Sequence, residues 1–450
     1  MADGVLGQIV AAKRAELDQR LAGVTLDALR ARAVPTKRSL AAAIALPGAR
    51  FILEIKRASP SAGTIRAAAD PADLARGYAG VADGLSVLTD AGFFGGSLAD
   101  LAAARGAFDG PILAKDFFID PRQIAEARIA GADAVLVMLS VLDDAAARTM
   151  ITEARRLGLD ALIEVHDETE MRRALTLDAP LIGINNRDLR DLSIDLATTQ
   201  RLAPLARGRR LISESGIASR ADVDRLSPTV DGFLIGSALM RAAAPAQAAR
   251  ALIFRRVKLC GLNRAEDVAA AAPAAFAGFV FAAGSPRQVS VEQAAPLAGE
   301  ARRRGMLPVG IVRDAPVQVV SDVATMLNLA AVQLHGNEDS DYIARLRREL
   351  PHECEIWTAV SVGRDVPERA GGDRLLFDNG AGGTGQSFNW EAVRGHPAVA
   401  DSVIAGGLGP SNARAAAALG AFAIDVGSRV DAIAGVKSAE KIAALFEALR

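Results

Sequence analysis

The chain of 450 residues holds only seven lysines, at positions 13, 37, 56, 115, 258, 437 and 441, while arginine supplies nearly every other cation. A lysine kept inside an apolar run is therefore wanted for its compact, titratable ammonium, and Lys56, Lys115 and Lys258 all sit in such runs. In FILEIKR, Glu54 and Lys56 are two apart, so on a strand they share one face while Leu53 and Ile55 share the other. Lys115 in ILAKDF and Glu164 in ALIEVH repeat the pattern as single charges at the end of an apolar run, and Asn185 and Arg187 in INNRDL are again two apart. Together these lysines, carboxylates, amide and guanidinium suit acid–base work on an anionic substrate. Burial is expected to lower the lysine pKa values and raise those of the glutamates, moving both towards neutrality.

A second set lies downstream. VKLCGL puts Lys258 and Cys260 on one face. A lone buried cysteine is ordinarily a small inert hydrophobe, but a neighbouring ammonium favours the thiolate and lets it act as a base. Asp378, at the end of RLLFDN, is the complementary acid. Thiolate and carboxylic acid across one site suit proton shuttling in an aldose–ketose rearrangement. His335 in VQLHG either joins that chemistry or satisfies strand-end hydrogen bonds, and Arg287 in GSPRQV is a candidate for a carboxylate.

Such groups must be held by a frame, and the apolar runs supply it. Strand-like segments begin at Phe51, Leu85, Pro111, Ala134, Ala161, Leu181, Leu211 and Gly232. A second series begins at Val257, Ala277, Leu307, Ala330, Glu355, Arg374, Ser402 and Phe422. The gaps hold one alanine- and arginine-rich helix each, which implies parallel pairing. About eight such units close into a barrel whose active site lies at the strand C-terminal ends. The expected fold is α/β, with two tandem (β/α)8 barrels spanning residues 1–255 and 256–450, the first carrying a helical extension over 1–50 broken at Pro35. Both series end alike, with LISESGI before GFLIGS and SVIAGG before FAIDVGS. Glycine and serine at the last two strand ends let backbone N–H groups approach an anion, where many barrels hold phosphate.

Composition narrows the function classes. Half the residues are hydrophobic, 23% are charged and the formal net charge is −1, so neither disorder nor nucleic-acid binding is expected. No apolar run approaches a membrane span, and the N-terminus lacks the basic-then-apolar order of a signal peptide. Two cysteines, Cys260 and Cys354, exclude a disulfide framework. A cytoplasmic monomer acting on small phosphorylated substrates is the expectation. On the residues alone two rivals stay open: Lys115 as the Schiff-base nucleophile of a barrel aldolase, and a non-catalytic phosphometabolite binder, which would not need Cys260 and Asp378 together.

Quoted together, EIKRASPSAG, TDAGFFGGSL, LAKDFFIDP, GADAVLVML, GINNRDL, SESGI and FLIGSALM resemble indole-3-glycerol phosphate synthase across residues 1–255. That family closes an indole ring on carboxyphenylaminodeoxyribulose phosphate, losing carbon dioxide and water, so the resemblance implies chemistry without metal or cofactor. The resemblance implies that Lys115 is the acid for ring closure and Glu164 the acidic partner in dehydration. It makes Glu54, Lys56 and Asn185 the remaining catalytic residues and Arg187 an anion contact. Ser59, Gly216, Gly236 and Ser237 resemble substrate or phosphate positions, with Glu214 and Ser215 beside them; Ala62 departs from a common lysine. KLCGLN, GFVFAAGSPRQV, VQLHGNE, FDNGAGGTGQSFNW and IAGGLGPSNA resemble phosphoribosylanthranilate isomerase, whose Amadori rearrangement makes the first half's substrate. This implies Cys260 as base, Asp378 as acid, Arg287 as the contact to the anthranilate carboxylate, and Gly406, Gly407, Gly427 and Ser428 around phosphate. Gly427, Arg429, Asp431 and Asn389 depart from the usual pattern. In this order the two families resemble a bifunctional fusion found in bacteria.

Overall fold

In the computed structural model the described residues are 5–178, 180–188, 191–363, 366, 369–379 and 387–450. Part of the FDNGAGGTGQSFNW motif, 380–386, lies outside them. The chain forms two compact units, Met1–Leu252 and Ile253–Arg450.

Each unit is a closed barrel of eight parallel strands in chain order. The first comprises β1 (Arg50–Ile55), β2 (Gly84–Leu88), β3 (Ile112–Lys115), β4 (Ala134–Met138), β5 (Asp160–Val165), β6 (Leu181–Asn185), β7 (Arg210–Glu214) and β8 (Gly232–Ile235). The second comprises β9 (Val257–Cys260), β10 (Phe276–Val280), β11 (Leu307–Val312), β12 (Ala331–Leu334), β13 (Glu355–Ser361), β14 (Arg374–Asp378), β15 (Val403–Ile404) and β16 (Ala423–Val426). Closure is made by β1 on β8, with Arg50 opposite Gly232, and by β9 on β16, with Lys258 opposite Asp425. These strands are mostly apolar because both faces are covered, one by helices and one by the barrel interior, and charged residues such as Glu54, Lys115, Glu164 and Asp425 interrupt them. Short polar side chains end the loops that lead back to helices: Asp70, Asp120, Asp143, Asp167 and Ser219 each accept a hydrogen bond from the first turn of the helix that follows.

The extension folds as α1 (Val5–Arg20) followed by two short helices, Leu26–Arg30 and Leu40–Ile44, the latter two capped by Thr25 and Ser39. Leu40 and Ile44 are fully buried. Lys13 pins α1 to the first barrel: its Nζ lies 2.8 Å from Asp90 and 3.0 Å from Asp116, beyond the ends of β2 and β3. The second barrel is shut at its strand N-terminal ends by an apolar plug of Phe276, Val309, Ala331, Trp357, Leu376, Val403 and Ala423. Within it the Phe276 and Trp357 rings meet edge to face at 5.1 Å. Among the described residues no helix is long and apolar enough to cross a membrane.

Two candidate active sites

A cavity of about 500 Å³ opens at the C-terminal ends of β1 to β8. Glu54, Lys56, Ser59, Lys115, Glu164, Asn185, Arg187, Ser215, Gly216, Gly236 and Ser237 all line it. Glu214, expected beside them, does not: its fully buried carboxylate sits behind Lys115, with Oε2 2.8 Å from Nζ. Glu54 bridges both lysines, with Lys56 Nζ 2.6 Å from Oε1 and Lys115 Nζ 3.4 Å from Oε2. Gly236 leaves the room that this requires, since a Cβ there would collide with the Glu54 carboxylate.

The electrostatics differ from the expected drift towards neutrality. Burial opposes the Lys115 ammonium, yet Glu214, Glu54 and Glu164 together hold it well above the ordinary lysine range. Burial likewise pushes Glu54 up, but Lys56 and Lys115 outweigh it and bring the carboxyl down to about 2. Glu214 alone of these three follows the expectation. Burial raises it, Lys115 opposes, and repulsion from Glu164 and Glu54 helps carry it up to about 7. The site thus keeps one ammonium charged, one carboxylate ionised and one carboxyl poised near neutrality.

Several contributors escaped the sequence reading. His166, just beyond the end of β5, has Nε2 3.4 Å from Glu164 and Nδ1 3.0 Å from Glu170. Burial lowers its pKa, but the two glutamates raise it further, so the net shift is upward. Arg241 lines the cavity beside Arg187, and Leu6, Ile9, Phe94 and Phe117 give it an apolar wall. Adjacent asparagines divide the labour at the end of β6. Asn186 is consumed by Ser213, Glu214 and Ser215, whereas Asn185 faces the cavity and accepts from the Arg187 backbone at 3.0 Å.

The second cavity, of about 400 Å³, gathers Cys260, Arg287, His335, Asp378, Gly406, Gly407, Gly427 and Ser428. His335 Nε2 lies 3.4 Å from Asp378, and its Nδ1 is 3.2 Å from Gln333 Nε2. Lys258 does not simply activate the thiol. It is fully buried and bound to Asp425 at 2.7 Å, a residue in FAIDVGS that alternation along the strand would have aimed inward. Burial raises the Cys260 pKa and Asp425 adds to it, and Lys258 only partly offsets them, so the resting thiol is held up rather than down.

The turns expected to hold phosphate match between the barrels. Ser215 and Gly216 have φ of 63° and 84°, and Gly406 and Gly407 have 79° and 61°, a pair of left-handed residues after each seventh strand. After each eighth strand, Gly236 (φ −130°, ψ −67°) and Gly427 (φ −117°, ψ −98°) adopt related conformations ahead of a short helix. Among the described residues no cluster of three or more His, Cys, Asp or Glu side chains is arranged to hold a metal ion.

Comparison with known proteins follows the same division. Residues 6–252 match the family of indole-3-glycerol phosphate synthase, and residues 257–448 match that of N-(5'phosphoribosyl)anthranilate (PRA) isomerase. The tryptophan biosynthesis protein TrpCF of Yersinia pestis is 46% identical over 405 residues, covering 89% of this chain and 84% of that protein. Its counterpart in Salmonella typhi is 44% identical over 453 residues, covering 99% of each. The crystal structure of phosphoribosyl anthranilate isomerase from Thermus thermophilus is 33% identical and covers 43% of this chain and 98% of its own, with a TM-score of 0.38.

Proposed function

The chain belongs to the indole-3-glycerol phosphate synthase family through its first barrel and to the phosphoribosylanthranilate isomerase family through its second, and from that premise we propose which side chains carry each reaction. It is a bifunctional enzyme of tryptophan biosynthesis with both activities.

In the isomerase barrel an aldosylamine must open its ring, which calls for an acid at the ring oxygen, and then lose a proton from C2, which calls for a base. Asp378 is the acid and Cys260 the base. Burial holds the resting thiol up, and Lys258 is the ammonium that favours its thiolate. Arg287 takes the carboxylate on the aromatic ring, and the Gly406-Gly407 and Gly427-Ser428 turns take the phosphate.

In the synthase barrel the ketone oxygen of the isomerase product accepts a proton as the aromatic carbon attacks. Loss of carbon dioxide returns an electron pair to the ring, and the hydroxyl then leaves as water, taking up one proton while the neighbouring methylene carbon gives up another to form the indole double bond. Lys115 delivers the first proton, and Glu164 assists the loss of water. Glu54 and Lys56 orient the charges around them, and Glu214, poised near neutrality, restores the Lys115 proton. Ser59, Asn185 and Arg187 hold the substrate's polar groups, while Gly216, Gly236 and Ser237 hold its phosphate. The observation that carries this reading is Lys115 lying between Glu54 and Glu214 on the cavity wall. The working form is a cytoplasmic monomer acting on small phosphorylated substrates, a reading supported by each cavity drawing acid, base and anion contacts from one chain.

Lys115→Ala is expected to lower synthase turnover about a hundredfold or more without unfolding the barrel. Borohydride with a ketose phosphate should leave no adduct on the protein. Near-normal turnover in the variant, or a trapped adduct on Lys115, contradicts the acid role.

A further inference from the structure

Asp431, one of the positions where this chain departs from the usual isomerase pattern, opens a two-stranded hairpin (Asp431–Ile433 with Val436–Lys437) just after β16. Its side chain is 6% exposed and holds two cations at once. Oδ2 accepts from Arg287 Nε at 3.1 Å and from Nη2 at 2.6 Å. Oδ1 accepts from Lys437 Nζ at 2.7 Å, and the same ammonium donates to the Gly427 carbonyl at 2.9 Å. One carboxylate thus joins the arginine assigned to the substrate carboxylate with the glycine assigned to its phosphate. The tip of the hairpin is docked too. Gly435, at φ 84°, runs against the Pro286 carbonyl where a Cβ would not fit, and its own carbonyl accepts from Asn263 at 2.8 Å.

A guanidinium offers two forked edges to carboxylates, Nε with Nη2 and Nη1 with Nη2. Asp431 occupies the first. We propose that Asp431 is a positioning residue of the isomerase site: it fixes Arg287 with the Nη1 and Nη2 edge presented to the ring carboxylate of the substrate. The proposal rests on the reading of Arg287 given above. The trio of Arg287, Asp431 and Lys437 keeps one net positive charge, so the buried aspartate does not repel the incoming anion. An arginine without this tether would have to be ordered by the substrate itself, at a cost in side-chain entropy.

The test uses the full-length chain with two substrates, phosphoribosylanthranilate and the analogue lacking the ring carboxylate. Asp431→Asn is expected to raise KM for the natural substrate about tenfold, with kcat within about twofold and the analogue's KM unchanged. Asp431→Glu, the residue usual in the family, is expected to restore the natural-substrate KM, and covers the possibility that the asparagine variant does not fold. Synthase activity and thermal unfolding of the same samples report on folding. Equal KM increases for both substrates, no increase in Asp431→Asn, or loss of the preference for the carboxylated substrate in folded Asp431→Glu overturns the proposal. Arg287→Met separates the two levels. If it leaves the preference for the carboxylated substrate intact, the reading of Arg287 fails, and the positioning role with it. If it abolishes that preference while Asp431→Asn does not, the positioning role alone fails.

Discussion

Three carboxylates outweigh burial at Lys115, and the balance is visible in what happens to Glu214. Its carboxyl is raised from an ordinary 4.5 to about 7, because a further negative charge beside Glu54 and Glu164 is costly in a desolvated site. For an acid whose folded pKa is raised, the associated stability is fully present below the unfolded value and is lost as pH rises through the folded one. Glu214→Gln resembles the protonated form and lacks that loss. The difference in Tm between wild type and Glu214→Gln is therefore expected to shift in favour of the variant between about pH 5 and about pH 8. A difference that stays flat across that interval contradicts the raised carboxyl. The sequence exposed which residue types would meet here, since Glu54, Lys115 and Glu164 each interrupt an apolar run. It did not expose the direction of the shifts. Those depend on which charges arrive from other strands, and Lys115 on β3 meets Glu54 from β1 and Glu214 from β7. His166 and Asp425 were missed for the same reason: each looks like an ordinary strand-end residue until its partner is in place.

The barrel strands were legible as elements, because a strand covered on both faces must read as a continuous apolar run and each was bounded by polar or glycine residues. Every expected strand overlaps an observed one. The extension was less legible. Helical spacing marked α1, but nothing local showed that Lys13 would be buried. It is 3% exposed, held by Glu16, Asp90 and Asp116, with Asp116 adjacent in the chain to Lys115. Removing the cation leaves two aspartates facing each other with little solvent. Lys13→Met is accordingly expected to cost about 3–5 kcal/mol of stability, read by denaturant unfolding of the first barrel. It should also raise the synthase KM, since Leu6 and Ile9 of the same helix line the cavity. Lys37→Met, at an exposed position, should lie within about 0.5 kcal/mol of wild type. A Lys13→Met chain as stable as the Lys37→Met control contradicts the pinning role.

Across the whole molecule one plan is used twice: eight parallel strands, a cavity at their C-terminal ends lined by titratable side chains, and glycine turns after the seventh and eighth. That repetition made two barrels readable, because matched endings are improbable as separate accidents. The plan also implies that each barrel works from its own residues, with chemistry in one indifferent to charge removed from the other. The most direct measurement is a pair of separate half-reaction assays on full-length Lys115→Ala and Cys260→Ala. The expected result is reciprocal: Lys115→Ala loses synthase activity and keeps the isomerase rate of wild type, and Cys260→Ala does the reverse. Loss of both activities in either folded variant, or retention of the activity assigned to the replaced residue, would contradict two independent acid–base sites in one chain.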